Sequence, residues 1–168
     1  NGDTEDWLPE FNQAQTFGEE YLLSETPYFN PESLSFKHIA CKQEPYLYAL
    51  FDVVDDQVTY RDRNSLSVIR SDHLQITIGD EQHSRRYVVP GYEPGWVMGF
   101  LMPDDPAQFP TVEKNITGKW KQTEKGYTLE IRIHTDLLGS KLAFAVADVD
   151  NEETGSIDAL IGTAKVQD

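Results

Sequence analysis

The chain has 168 residues, with 29 acids against 14 lysines and arginines and a formal charge of −15. That charge excludes a general nucleic-acid binder, whose affinity comes from neutralising phosphates, and a surface that docks on anionic lipid head groups. The length predicts one domain spanning residues 1–168, and an 11% aromatic content argues against disorder.

The first 36 residues hold eight acids and no lysine or arginine, while Arg61, Arg63, Arg70, Arg85 and Arg86 gather in the middle. No run approaches the ~20 apolar residues of a membrane span, and no signal-peptide pattern is present. The sequence starts without an initiator methionine, as expected of an excised fragment or a mature form. Nine prolines and eleven glycines interrupt it often, and short strand patterns outnumber helical ones.

The near-continuous apolar run from Tyr46 to Val54 predicts a central strand covered on both faces. Leu74 to Ile78 alternates cleanly and stops at Gly79-Asp80. Trp96, Met98, Phe100 and Met102 alternate with Val97, Gly99 and Leu101, which predicts another strand. Lys119–Thr123 and Tyr127–Ile133 flank Glu124-Lys125-Gly126 as the arms of a hairpin. In its second arm Tyr127, Leu129, Ile131 and Ile133 share one face, and Thr128, Glu130 and Arg132 the other. A short helical turn is expected at Thr135–Gly139, with Thr135 as N-cap and Gly139 as the left-handed terminator. Leu142 to Val149 predicts a buried strand. Together these elements predict an all-β protein, an antiparallel sandwich or barrel with one or two short helical turns.

Motifs for phosphate-binding loops, serine nucleophile elbows and zinc-protease helices are absent. Cys41 cannot form an internal disulfide and is expected to be a buried, inert thiol. His38, His73, His83 and His134 are spread along the chain without ligand spacing and are expected to be surface or edge residues. With so many acids, a carboxylate pair for hydrolysis can be chosen at will, which makes any one pair uninformative. Two acidic clusters suit calcium, which takes several hard oxygens. They are Asp52, Asp55 and Asp56 after the central strand, and Asp148 with Asp150 near the end; solvated turns are the alternative. No other cofactor is expected. The aromatic residues suggest a ligand surface made by Tyr92, Trp96 and Trp120, with Arg85 and Arg86 as polar or anion-facing partners and Arg61 and Arg63 joining them. The competing expectation is that the tryptophans fill the core.

Several segments in order resemble carbohydrate-binding module family nine and the DOMON-like superfamily. They are the opening Asn1-Gly2-Asp3-Thr4-Glu5-Asp6-Trp7, the tyrosine-rich strand ending in Val53-Val54-Asp55-Asp56, Asp72-His73-Leu74-Gln75-Ile76, Gly126-Tyr127-Thr128-Leu129-Glu130-Ile131-Arg132-Ile133, Leu137-Leu138-Gly139, and Phe144 to Asp150. The resemblance implies a jelly-roll-type sandwich without catalysis. Trp120 before Gly126-Tyr127, with Ile161-Gly162-Thr163 near the end, makes the chain similar to the extracytoplasmic sensor region of the histidine kinase of the proteobacterial dedicated sortase system. That implies a periplasmic sensing domain, tied to a membrane only through flanking helices outside this sequence. Its partner would be a small molecule, a glycan or a protein signal. A carbohydrate-binding module of a glycan-active enzyme is the alternative.

Overall fold

The computed structural model describes residues 4–7, 11–26, 29–151 and 154–164. Eleven strands form it: β1 (Gln15–Phe17), β2 (Leu22–Glu25), β3 (Leu34–Gln43), β4 (Tyr46–Asp55), β5 (His73–Gly79), β6 (Ser84–Pro90), β7 (Gly95–Leu101), β8 (Thr111–Thr123), β9 (Gly126–His134), β10 (Lys141–Asp148) and β11 (Ala159–Gly162). Three 3-10 turns accompany the strands, Thr4–Trp7, Glu19–Tyr21 and Thr135–Leu137.

The strands pair antiparallel in one order, β1-β3-β4-β9-β8-β7-β6-β5-β10-β11-β2. The sheet is strongly curled, so its two halves face each other as a sandwich. Only two residue pairs join β6 to β7, Tyr87 with Leu101 and Val88 with Phe100. Across the interior, the Phe144 ring on β10 lies 5.1 Å from both His38 on β3 and Phe51 on β4. The all-β expectation is met.

Period-two alternation fills the core. Ala49, Phe51 and Val53 of β4, Leu74, Ile76 and Ile78 of β5, and Tyr127, Leu129, Ile131 and Ile133 of β9 all point inward and are buried. The expected hairpin is present, with β8 and β9 in register from Thr123–Gly126 back to Ile116–Ile133. Gly126 adopts φ +144°, and a side chain there would strike the Val53 carbonyl.

Five expectations are corrected. His134, rather than Thr135, caps the last 3-10 turn, its ring Nδ1 accepting from the Asp136 N–H at 3.3 Å. Gly139 does not terminate a helix; it is required because its backbone packs against Gly79. Cys41 is exposed, since its place on β3 alternates to the outer face. His73 is fully buried and His38 largely so, with ring nitrogens bonded to the Ser71 and Leu50 carbonyls at 2.7 and 3.1 Å. The outer face of β4 is only partly covered: Leu50 is buried, Tyr46 and Tyr48 are half-buried, and Val54 is exposed.

Candidate ligand-binding cleft and a buried carboxylate cluster

The outer face of β3, β4, β9, β8 and β7 carries two cross-strand rows fixed by register. One runs Met98, Thr117, Arg132, Tyr48, Cys41; the next runs Trp96, Lys119, Glu130, Leu50, Ile39. Trp96 is 77% exposed, an unusual state for an indole on a strand unless its face is used. The Lys119 ammonium lies 5.1 Å from its ring centroid. Beside it is a cleft of about 140 Å³ lined by Tyr48, Thr117, Lys119, Glu130 and Arg132. Arg132 donates from Nε to Thr117 Oγ1 at 3.0 Å, and its guanidinium lies 4.8 Å over the Tyr46 ring. These contacts hold a cation at the cleft wall.

A second cleft of about 310 Å³ shares Tyr48 and Glu130 and is closed at its far side by Asp6, Trp7, Cys41 and Gln43. Thus an exposed indole, a second and mostly buried indole, a phenol, two carboxylates and two cations border one continuous face. Flat apolar rings with a few polar groups around them suit a ligand that has an apolar face and hydroxyl edges.

The other expected surface residues do not join this cleft. Trp120 is 1% exposed and stacks on Tyr127 with centroids 3.9 Å apart. It follows Lys119 on the same strand, so alternation turns it inward when Lys119 faces out. Trp96 pairs with Lys119, so the two tryptophans occupy opposite faces of the sheet and cannot form one platform. Arg61 is buried, donates to the Tyr92 hydroxyl and the Ser65 carbonyl, and lies 4.7 Å over the Tyr92 ring, so these two residues are engaged with each other. Arg63 pairs with Glu93 on the surface. Arg85 and Arg86 are exposed on β6, where alternation points them to opposite sides; Arg85 lines a separate cleft with His83 and Leu137. Tyr48, Lys119, Glu130, Arg132 and Trp7 were not singled out as ligand residues. The alternation of Glu130 and Arg132 was visible, but the register that sets them beside Trp96 is long-range.

The acidic clusters are rearranged as well. Asp52 leaves its expected neighbours: it lies on the outer face opposite Lys37 and Thr128, and burial raises its pKa. Asp55 faces the opposite way and meets Asp148, while Asp56 and Asp150 stand at the exposed side of Asp55. Asp72, at the mouth of β5, completes a buried triad whose carboxylate oxygens lie within 4.8 Å of one another. Burial and the charge of Asp55 push Asp72 up to about 9 and Asp148 up to about 8, and burial raises Asp55 too.

The whole arrangement is a curled antiparallel β-sandwich of the kind seen in carbohydrate-binding modules. Three solved structures resemble it along nearly the whole chain. A carbohydrate binding module family 9 from Caldicellulosiruptor kristjanssonii in complex with glucose has a TM-score of 0.57 and 17% identity, covering 96% of this chain and 78% of that one. The same module in complex with cellotriose has a TM-score of 0.56 and 18% identity, covering 96% and 77%. A candidate carbohydrate-binding protein from Bacteroides uniformis has a TM-score of 0.61 and 9% identity, covering 97% and 83%. No family model matches the sequence, and no curated protein matches it either. No helix among the described residues is long and apolar enough to cross a membrane.

Proposed function

We propose that this domain binds a glycan without chemical conversion, using the face between Trp96 and Trp7. The carrying observation is the exposed Trp96 ring, set over a cleft with Lys119, Glu130, Arg132 and Tyr48 at its edges. A pyranose stacks its C–H face on an indole while its hydroxyls exchange hydrogen bonds with charged groups. The likeness to modules solved with glucose and cellotriose supports this reading.

The test is a titration with glucose, cello-oligosaccharides and a panel of other glycans, followed by calorimetry and indole fluorescence. Saturable binding is expected, with Trp96→Ala weakening it by about 2 kcal/mol or more, roughly thirty-fold. A full panel without response, or equal affinity in Trp96→Ala, overturns the proposal. A periplasmic sensing role in a membrane-bound kinase would use the same cleft. That finer reading rests on the sequence resemblance alone, and flanking membrane helices with a kinase in the full reading frame would support it.

A further inference from the structure

We infer, resting on the glycan reading above, that the sugar bound at this face carries an acidic substituent, held at the Trp96 end by Arg132 and Lys119. A uronate carboxylate and a sulfate ester both meet that chemistry, and the experiment below separates them.

Over the whole chain 29 acids stand against 14 lysines and arginines. The cleft beside Trp96 reverses that ratio: Lys119 and Arg132 line it with one acid, Glu130. The net field of such a protein repels an anion. At physiological ionic strength the Debye length is about 8 Å, so distant acids are screened and the nearest charges decide what binds here. The next row on the same outer face runs Lys121, Thr128, Asp52, Lys37, again with two cations to one acid.

Both cleft cations are positioned by contacts that leave their charge usable. Arg132 spends its Nε–H on Thr117 Oγ1 at 3.0 Å and one face of its guanidinium on the Tyr46 ring. Neither contact uses the terminal nitrogens, the pair that engages a carboxylate or sulfate through two parallel hydrogen bonds. The Lys119 ammonium, 5.1 Å from the Trp96 ring centroid, stands beside the surface on which a sugar ring would stack. A substituent on a ring stacked there is within reach of a cation.

The charge is also polarised along the face. The second cleft, towards Trp7, is lined by Asp6 and Glu130, and among the described residues no lysine or arginine lines it. Arg132 and Glu130 are alternate residues of β9, so their rows stand about 7 Å apart. An acidic group seated at Arg132 therefore keeps clear of Glu130. Hydroxyls of the neighbouring ring meet the carboxylates instead, which accept from O–H donors. A neutral glycan engages the acidic end alone, whereas a glycan with an acid on one ring engages both ends.

The experiment is calorimetric titration of the intact chain, at fixed ionic strength and neutral pH, with matched pairs that differ in charge. The pairs are C6-carboxylated cellotriose with cellotriose, trigalacturonate with its methyl ester, and a sulfated chondroitin tetrasaccharide with its desulfated form. In at least one pair the more acidic member should bind about ten-fold more tightly or better, the scale of a charge-assisted hydrogen bond. A preference confined to the first two pairs assigns a carboxylate; one confined to the third assigns a sulfate ester. Arg132→Gln and Lys119→Gln should each remove most of that preference, while Trp96→Ala weakens both members of the pair. The ratio within a pair is unmoved by a general loss of folded protein, so a merely structural role for Arg132 would leave it intact. Lys125→Gln, in the β8–β9 turn outside this cleft, should also leave it intact, which separates local contacts from net charge. Equal or weaker binding of every acidic member overturns the inference and leaves the glycan reading standing. A preference that survives in both Arg132→Gln and Lys119→Gln overturns it too. Absence of binding to every member of every pair overturns both.

Discussion

Trp96 and Trp120 are the same residue type on neighbouring strands, and they do opposite work. Trp120 is enclosed by Tyr127, by Tyr60 at 6.2 Å, and by the backbone of Gly91, where an added Cβ would sit 3.1 Å from the indole. Trp96 meets Lys119 on one side and solvent on the other. Trp120→Ala should therefore cost about 3–5 kcal/mol of folding stability, because the pocket it leaves cannot collapse around a stacked tyrosine. Trp96→Ala should change stability by less than about 1 kcal/mol, as surface replacements usually do. Urea unfolding of the two variants checks this, and equal destabilisation of both would reverse the assignment of core and cleft. The sequence reveals that both residues lie in strands. It does not reveal their faces relative to each other, because that depends on the Trp96–Lys119 pairing, which no local signal sets.

At the scale of elements, alternation was legible wherever one face of a strand is buried and the other wet, as in β5 and the β8–β9 hairpin. Strands with mixed patterning were not. β3 reads Leu-Ser-Phe-Lys-His-Ile-Ala-Cys-Lys-Gln, and its inward His38 breaks the apolar period that would have announced it. That histidine now lies against the Phe51 ring at 4.5 Å, near Phe144 of the facing layer at 5.1 Å and Phe17 of β1 at 6.4 Å. Burial lowers its pKa from 6.5 to about 4, against the weaker pull of its bond to the Leu50 carbonyl. A base whose folded pKa is depressed stays neutral in the fold while the unfolded chain takes up a proton. Stability is then whole above about pH 6.5 and is lost as pH falls towards 4, by up to roughly 3 kcal/mol. Other groups titrate in the same window, so the readout is a difference: wild type should lose about 2 kcal/mol more than His38→Leu between pH 6.5 and pH 4.5. Urea-derived stability curves that run parallel with pH for the two proteins would show that His38 does not carry this loss.

Over the whole molecule, the −15 charge is unevenly opposed. The cleft face holds Lys37, Lys119, Lys121 and Arg132 in outward register positions against Asp52 and Glu130, so the ligand side is locally basic on an acidic protein. Elsewhere acids outnumber bases, and the buried triad concentrates three of them. The acidic clusters were legible as candidates, but the buried triad was not, since Asp72 is distant in sequence from Asp55 and Asp148 and only the curl of the sheet unites them. A chain with such an excess repels itself when folded, and added salt screens that repulsion, with a Debye length of about 10 Å at 0.1 M falling to about 3 Å at 1 M. The protein should therefore gain stability as sodium chloride is raised at neutral pH. The gain should appear as a higher urea midpoint at unchanged slope, because the surface exposed on unfolding is the same. A midpoint that falls with salt would mean that attractive pairs such as Arg63–Glu93 and Lys42–Glu44 outweigh the net repulsion. These pairs are exposed, and exposed pairs contribute about 1 kcal/mol at most, which sets the expected sign.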